Sequence, residues 1–236
     1  MVERRTKFVR DFIITTLPKL IGKARGIILI PVVTKVLGQE AYGIWTNFTV
    51  GLTLLSIIAS LSLGAATNRF LVDAPEEQVR REYWAIMAVT FVSGLIVVGL
   101  LGLFDDLFAA IVFDSAGESE LVGILAAVLL VSLFTRQSMQ FYRSQRRMGI
   151  FAGVKSLRLV GELLVIIAAA VQFESILAIF ASYLVFNVGL ATILVIYTTI
   201  EIGIARPDFG CIRKYIKFGV PLIASATMYW IVNVSD

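Results

Sequence analysis

Four runs of this sequence carry no charged side chain for 18 residues or more. They lie between Glu40 and Arg69, Glu82 and Asp105, Glu174 and Glu201, and Lys217 and Asp236. A helix needs about 20 largely apolar residues to cross the hydrocarbon of a bilayer. The balance of the 236 residues agrees: 58% are hydrophobic and 16% charged, against about 45–50% and about 25% in soluble domains. A soluble chain of this length could not bury so much apolar surface, so an all-α integral membrane protein is expected. Barrel strands are excluded, because they would be about 10 residues long with alternating polarity.

Three further apolar stretches continue around charges. Residues 12–37 hold Lys19, Lys23, Arg25 and Lys35; residues 121–142 hold Arg136; residues 151–172 hold Lys155, Arg158 and Glu162. With these, seven spans are expected, near 12–37, 42–67, 83–104, 121–142, 151–172, 175–200 and 215–236, after an arm at 1–11. The loops alternate in sign. Arg4, Arg5, Lys7 and Arg10 lie before the first span, Arg69, Arg80 and Arg81 after the second. Arg143, Arg146 and Arg147 follow the fourth, and Arg206, Arg213, Lys214 and Lys217 close the series at the start of the seventh. The intervening loops lack Lys and Arg, and one is acidic, with Asp105, Asp106, Asp114, Glu118 and Glu120. By the positive-inside rule the N-terminus is expected in the cytosol of a multi-pass protein of the cell membrane.

Several functions are excluded or left without support. The net charge of +4 needs no nucleic-acid partner, because basic loops beside a membrane face anionic lipid. The arm reads equally as a short amphipathic helix on that surface or as a disordered cap. No cleaved leader is expected, since the first span is too long and lacks a small-residue cleavage site. The chain has no histidine and a single cysteine, Cys211, so His–Cys metal sites and imidazole relays are excluded, and no cofactor is expected. The stretch 149–155 lacks the glycine–lysine pair of a phosphate loop. Nothing points to an enzyme.

The charges inside the first and fifth spans carry the functional signal. A Lys or Arg at the bilayer centre costs roughly 2.5–3.5 kcal/mol on the insertion scale, so such residues usually face a bundle interior or a watery cavity. At about 100° per residue, Lys19, Gly22, Lys23, Arg25 and Gly26 share an arc of roughly 160°. Leu20, Ile21, Ala24, Ile27 and Ile28 oppose it. Gly22 and Gly26 form a small-xxx-small pair that permits close helix approach, and Pro31 should kink the helix. Lys19 and Lys35 read as snorkelling residues. Lys23 and Arg25 sit too deep for that and read either as cavity-lining or as paired with another helix. In the fifth span Lys155, Arg158 and Glu162 fall within about 60°. Lys155 can snorkel. Arg158 and Glu162 can pair within the helix, either as a neutralised structural pair or as a gate opened by an anionic substrate or by protonation. Arg136 reads as snorkelling or packing. Asn47 reads as an interhelical hydrogen bonder or a cavity-lining residue, and Ser56, Ser60 and Gly64 as a packing seam.

The order of features also resembles a known family. Lys35-Val36-Leu37-Gly38-Gln39-Glu40-Ala41-Tyr42-Gly43-Ile44-Trp45 resembles a leucine–glycine, acidic, tyrosine–glycine turn after a kinked first helix. Leu63-Gly64 with Thr67-Asn68-Arg69-Phe70 resembles a glycine then arginine–aromatic exit. Phe141-Tyr142-Arg143-Ser144-Gln145-Arg146-Arg147-Met148 resembles a basic cytosolic loop. Phe218-Gly219-Val220-Pro221-Leu222-Ile223 and Trp230-Ile231-Val232-Asn233-Val234-Ser235-Asp236 resemble a seventh helix. Together these are similar to the polysaccharide flippases, the Wzx-type O-antigen transporters of the multidrug/oligosaccharidyl-lipid/polysaccharide (MATE-like) superfamily. The resemblance implies two six-helix lobes around a cationic cavity. It implies translocation of polyprenyl-diphosphate-linked oligosaccharide across the cytoplasmic membrane by alternating access. The cationic role maps by position onto Lys23 and Arg25, and the phase argument extends it to Arg158, with Glu162 as a possible coupling or gating group and Asn47 as a possible cavity-lining residue. Residues 12–214 would then form one lobe, and residues 215–236 the first helix of a second. Val220-Pro221 echoes Leu17-Pro18, as expected of a repeat. Such proteins are roughly twice this length, so the chain is expected to be a fragment, or else a half-size protein paired with another chain.

Other readings remain. A cation-coupled drug exporter or a peptidoglycan-precursor flippase belongs to the same superfamily. A polytopic glycosyltransferase would need carboxylates on a sizeable outer loop. A non-transporting membrane fragment would do neither.

Overall fold

The structure, a computed structural model, describes residues 2–113 and 119–235. Expectations about Asp114, Glu118 and the side chains of Arg4, Arg5, Lys7, Arg10 and Lys19 lie outside the described residues. The described chain is helical with short connections: α1 (Val2–Ala59), α2 (Leu63–Phe70), α3 (Glu76–Leu103), α4 (Asp105–Phe113), α5 (Ser119–Ser144), α6 (Met148–Phe173), α7 (Ile176–Ile202) and α8 (Ile212–Ser235), with a 3-10 turn at Phe209–Cys211 before α8.

α1 is helical from Val2 onward, the helical one of the two readings of the arm. The first two expected spans appear as two arms of α1 meeting at Gly38, whose φ of 92° and ψ of 173° interrupt the helix. Only glycine adopts that backbone without strain. The second expected span, 42–67, is broken. Its helix ends at Ala59, and Leu61 and Ser62 take left-handed φ values of 48° and 50°. α2 then leaves at 52°. The break frees carbonyls that need donors. The Ser93 hydroxyl of α3 donates to the Ala59 carbonyl, and the Leu61 amide donates to Ile58. The acidic loop is also not wholly irregular, since it contains α4.

Four described helices are long and apolar enough to cross a membrane: Glu76–Leu103, Glu120–Ser144, Ile176–Ile202 and Phe209–Val232. The bent pair of α1 and α2 makes a fifth if counted as one span. The shortfall from seven falls on α1, whose two arms count as one helix, and on α6. α6 carries Lys155, Arg158 and Glu162 within 26 residues, about 39 Å at 1.5 Å per residue. Large apolar side chains cover the outside of the bundle, such as Ile96 on α3, Leu164 on α6 and Ile193 and Ile200 on α7. In water such a surface would aggregate, whereas in lipid it is solvated. The protein is an all-α, multi-pass membrane bundle.

α5 is the central helix, packed against α3, α7, α2, α6 and α1. One core lies among α1, α5, α6 and α7. There Trp45 stacks on Phe180 at 5.6 Å and meets Tyr183 edge-on at 5.3 Å. A second core lies among α2, α3, α5 and α8 around Leu63, Tyr83, Tyr142 and Tyr215. The basic loops gather at one end. There Arg146 pairs with Asp73 at 2.9 Å, Arg147 pairs with Glu201, and the Asp208 amide donates to the Arg81 carbonyl. This is called the basic end below.

α8 touches the bundle through its first turns. Tyr215 donates to the buried Glu82 carboxylate of α3. A β-carbon on Gly219 would stand 2.4 Å from the Leu61 carbonyl oxygen at the α1–α2 break. Gly219→Ala is therefore expected to cost roughly 1–3 kcal/mol by overpacking and to lower thermal stability in detergent. Gly99→Ala faces open space and serves as the control, with unchanged or slightly higher stability. Equal melting of the two variants would show that the Gly219 contact carries no such constraint.

Candidate functional site

A cleft of about 480 Å³ opens between α1, α5 and α6, with Tyr183 of α7 at its back. Helical periodicity builds its walls. Thr49, Leu52, Thr53 and Ser56 line it from the second arm of α1, at i, i+3, i+4 and i+7. Ser132, Arg136, Met139, Gln140 and Arg143 do so from α5, and Phe151, Lys155, Arg158, Leu159 and Glu162 from α6. Each set is one stripe along its helix, facing the others.

The charge balance is unusual for a membrane interior. Arg25, Arg136, Arg143, Lys155 and Arg158 face a single carboxylate, Glu162. Glu162 is 2% exposed and uses both oxygens. Arg25 Nη1 donates to Oε2 at 2.7 Å, and Arg158 Nε donates to Oε1 at 2.8 Å. Such ionised hydrogen bonds are the strong kind, and here they join the first arm of α1 to α6. Arg158 also meets the Tyr183 hydroxyl. Toward the basic end, the Phe151 ring has Arg143 at 5.9 Å from its centroid and Lys155 at 6.0 Å. Hydrogen-bonding groups complete the lining: Thr53, Ser56, Ser132 and Gln140. Gln140 accepts from Asn68 Nδ2 of α2 at 2.7 Å. Among the described residues no group of His, Cys, Asp or Glu could hold a metal ion. Chemically, the cleft can hold a compact, multiply charged anion by ion pairing and hydrogen bonds.

The structure brings together three of the sequence-predicted site residues, Arg25, Arg158 and Glu162. It does not bring in the other two. The Lys23 and Asn47 side chains are exposed and do not line the cleft. Lys23 and Arg25 are two residues apart, hence about 200° around the helix. They stand at opposite edges of the cationic arc, and only Arg25 turns toward α6. The Gly22–Gly26 seam is not used within the described residues, since nothing lies within 4 Å of a β-carbon on either glycine. α6 packs instead on the face with Leu29 and Val33, which are buried. Arg136, read from sequence as snorkelling or packing, and Lys155, read as able to snorkel, both line the cleft, as does Ser56 from the expected packing seam. The missed signal was helical spacing. Ser132, Arg136, Gln140 and Arg143 recur at i, i+4, i+8 and i+11, one polar stripe along the helix.

The sequence pattern of one family, described as polysaccharide biosynthesis protein, matches residues 8–236. The chain belongs to the polysaccharide biosynthesis protein family. The match spans both charge-bearing helices, every wall of the cleft and α8. No curated protein and no solved structure matches the chain. Membership places this membrane bundle in polysaccharide biosynthesis, and the cleft gathers five cations and the buried Glu162 between its helices.

Proposed function

We propose that this protein is a flippase that carries lipid-diphosphate-linked oligosaccharide across the cytoplasmic membrane. The observation that carries the proposal is five cations opposed by one carboxylate inside an apolar bundle of this family. A diphosphate is the part of such a substrate that cannot cross hydrocarbon unaided. Arginine offers it a bidentate fork and lysine a point charge. The basic end faces the cytosol by the positive-inside rule, and substrate enters the cleft from there. The cleft is one wall of a cavity completed by a second six-helix lobe that α8 begins, and the two lobes rock between inward- and outward-open states. In support, α8 leaves most of its length exposed, with 11% of its span buried. The protein acts as a transporter rather than an enzyme, and its partners are the lipid-linked glycan and membrane lipids.

The test is Arg25→Ala combined with Arg158→Ala in the gene that encodes this protein. Surface glycan is expected to fall at least about tenfold, the loss of one to two charge-assisted hydrogen bonds to the substrate, while the protein still inserts. Normal glycan in the inserted double variant removes the reading. Drug export is the less favoured alternative, because Glu162, the buried carboxylate such an exporter needs, is already neutralised by two arginines. Drug resistance conferred by expression, with surface glycan unaffected, would favour it.

A further inference from the structure

The five cations of the cleft are not equivalent. Arg25 and Arg158 share Glu162 and occupy both of its oxygens. Arg143 and Lys155 each lie about 6 Å from the centroid of the Phe151 ring. Arg136 differs from all four. Among the described residues it has no carboxylate, hydrogen-bonding side chain or ring as a partner, and its one electrostatic neighbour of note is a like charge, Arg158. A partly buried guanidinium facing another guanidinium costs free energy until an anion joins it. It stands midway along the cationic wall of α5, four residues from Gln140 and from Ser132, which also line the cleft.

We infer that Arg136 is the residue that first binds the diphosphate in the resting cleft, while Glu162 acts as an internal anion that holds Arg25 and Arg158 out of competition. This rests on the reading of the cleft as a diphosphate site. Its content is an order of importance among the cations. The ligand meets Arg136 directly, but at Arg25 and Arg158 it competes with the Glu162 carboxylate already bonded there. Each displacement trades one ion pair for another, so Arg25 and Arg158 add less to initial affinity than their charge suggests. Displacement also severs the bridge between α1 and α6. Ligand occupancy at Arg136 thereby precedes any loosening of those two helices.

The test uses the purified full chain in detergent and inorganic pyrophosphate as the probe, with affinity measured by equilibrium dialysis. Arg136→Met is expected to weaken binding about tenfold or more, the loss of a charge-assisted contact, and Arg136→Lys to restore most of it. Arg158→Met is expected to weaken it less. Glu162→Gln keeps an acceptor oxygen but removes the competing charge, and is expected to bind more tightly than the unmodified protein. Should Arg136→Met fail to fold, thiol protection replaces it. In a Cys211→Ser background, pyrophosphate should protect Gln140→Cys, beside Arg136, at lower concentration than Leu159→Cys, beside Arg158. A larger loss in Arg158→Met than in Arg136→Met, no gain in Glu162→Gln, or reversed protection overturns the assignment while leaving the cleft a diphosphate site. Absence of pyrophosphate binding in both the unmodified protein and Glu162→Gln overturns the assignment and the diphosphate reading together.

Discussion

Replacing Glu162 by leucine is expected to destabilise the protein by about 3–5 kcal/mol, the usual cost of removing one partner from a buried ion pair. The cost comes from what remains rather than from what is lost. Arg25 and Arg158 stay in place, 18% and 23% exposed, without the carboxylate that neutralised them. The α1–α6 interface would then hold two like charges drawn together by packing. Replacing all three groups, Arg25→Met with Arg158→Met and Glu162→Leu, should recover most of the loss, because apolar substitutes for a buried charge cluster are often neutral or stabilising. The readout is the half-life of the folded protein at fixed temperature in detergent, suited to a protein whose unfolding is irreversible. A single variant as long-lived as the unmodified protein would show that the bridge does not hold these helices. Recovered stability in the triple variant, with surface glycan still absent, would separate the structural role of the cluster from its role in transport.

Trp45→Ala should cost a similar amount for a different reason. Trp45 is 3% exposed and sits among Phe48, Phe180 and Tyr183, with ring centroids 5.3 to 6.1 Å away. Truncating a buried aromatic to alanine leaves a cavity and typically costs about 3–5 kcal/mol. This cluster fixes the second arm of α1 against α7 and places Tyr183 at the back of the cleft. Loss of Trp45 is therefore expected to shorten the folded half-life and to weaken pyrophosphate binding, although no atom of Trp45 lines the cleft. Trp45→Phe keeps ring contacts and should lose much less. Equal half-lives for Trp45→Ala and the unmodified protein would place the anchor of α7 elsewhere.

These expectations also mark how far the sequence could be read. Long charge-free runs placed α7 and the core of α3 well, because lipid solvates side chains but not unpaired backbone, which leaves a helix as the economical solution. Gly38 was legible as a turn for the same reason that it is one. The break at Ser60, Leu61 and Ser62 was not. It contains neither glycine nor proline, and its left-handed residues are stabilised by Ser93, distant in sequence, and by α8. α4 was hidden behind its acids, although Asp105 and Asp106 followed by an apolar run form an ordinary helix start. At the site, helical phase within α6 correctly put Arg158 and Glu162 on one face. It could not say that Arg25 would take the second oxygen of Glu162, because that depends on which face of α1 meets α6. Depth in the membrane alone does not place Arg136 on the cleft; the stripe with Ser132, Gln140 and Arg143 does.

The break between α1 and α2 has a mechanical consequence. α2 is a rod of eight residues that does not share the axis of α1. On one side it is tied to α5, where Asn68 and Thr67 bond Gln140 and Gln137. On the other it is gripped by α8, where Arg69 lies 4.6 Å from the Phe218 ring centroid and Lys214 lies 4.7 Å from that of Phe70. The Leu61 carbonyl, wedged against Gly219, gives it a fulcrum. Gln140 lies in tight contact with Gly64 and at the cleft wall, so α2 joins α8 to the cationic cleft, beside the direct packing of α8 on α1.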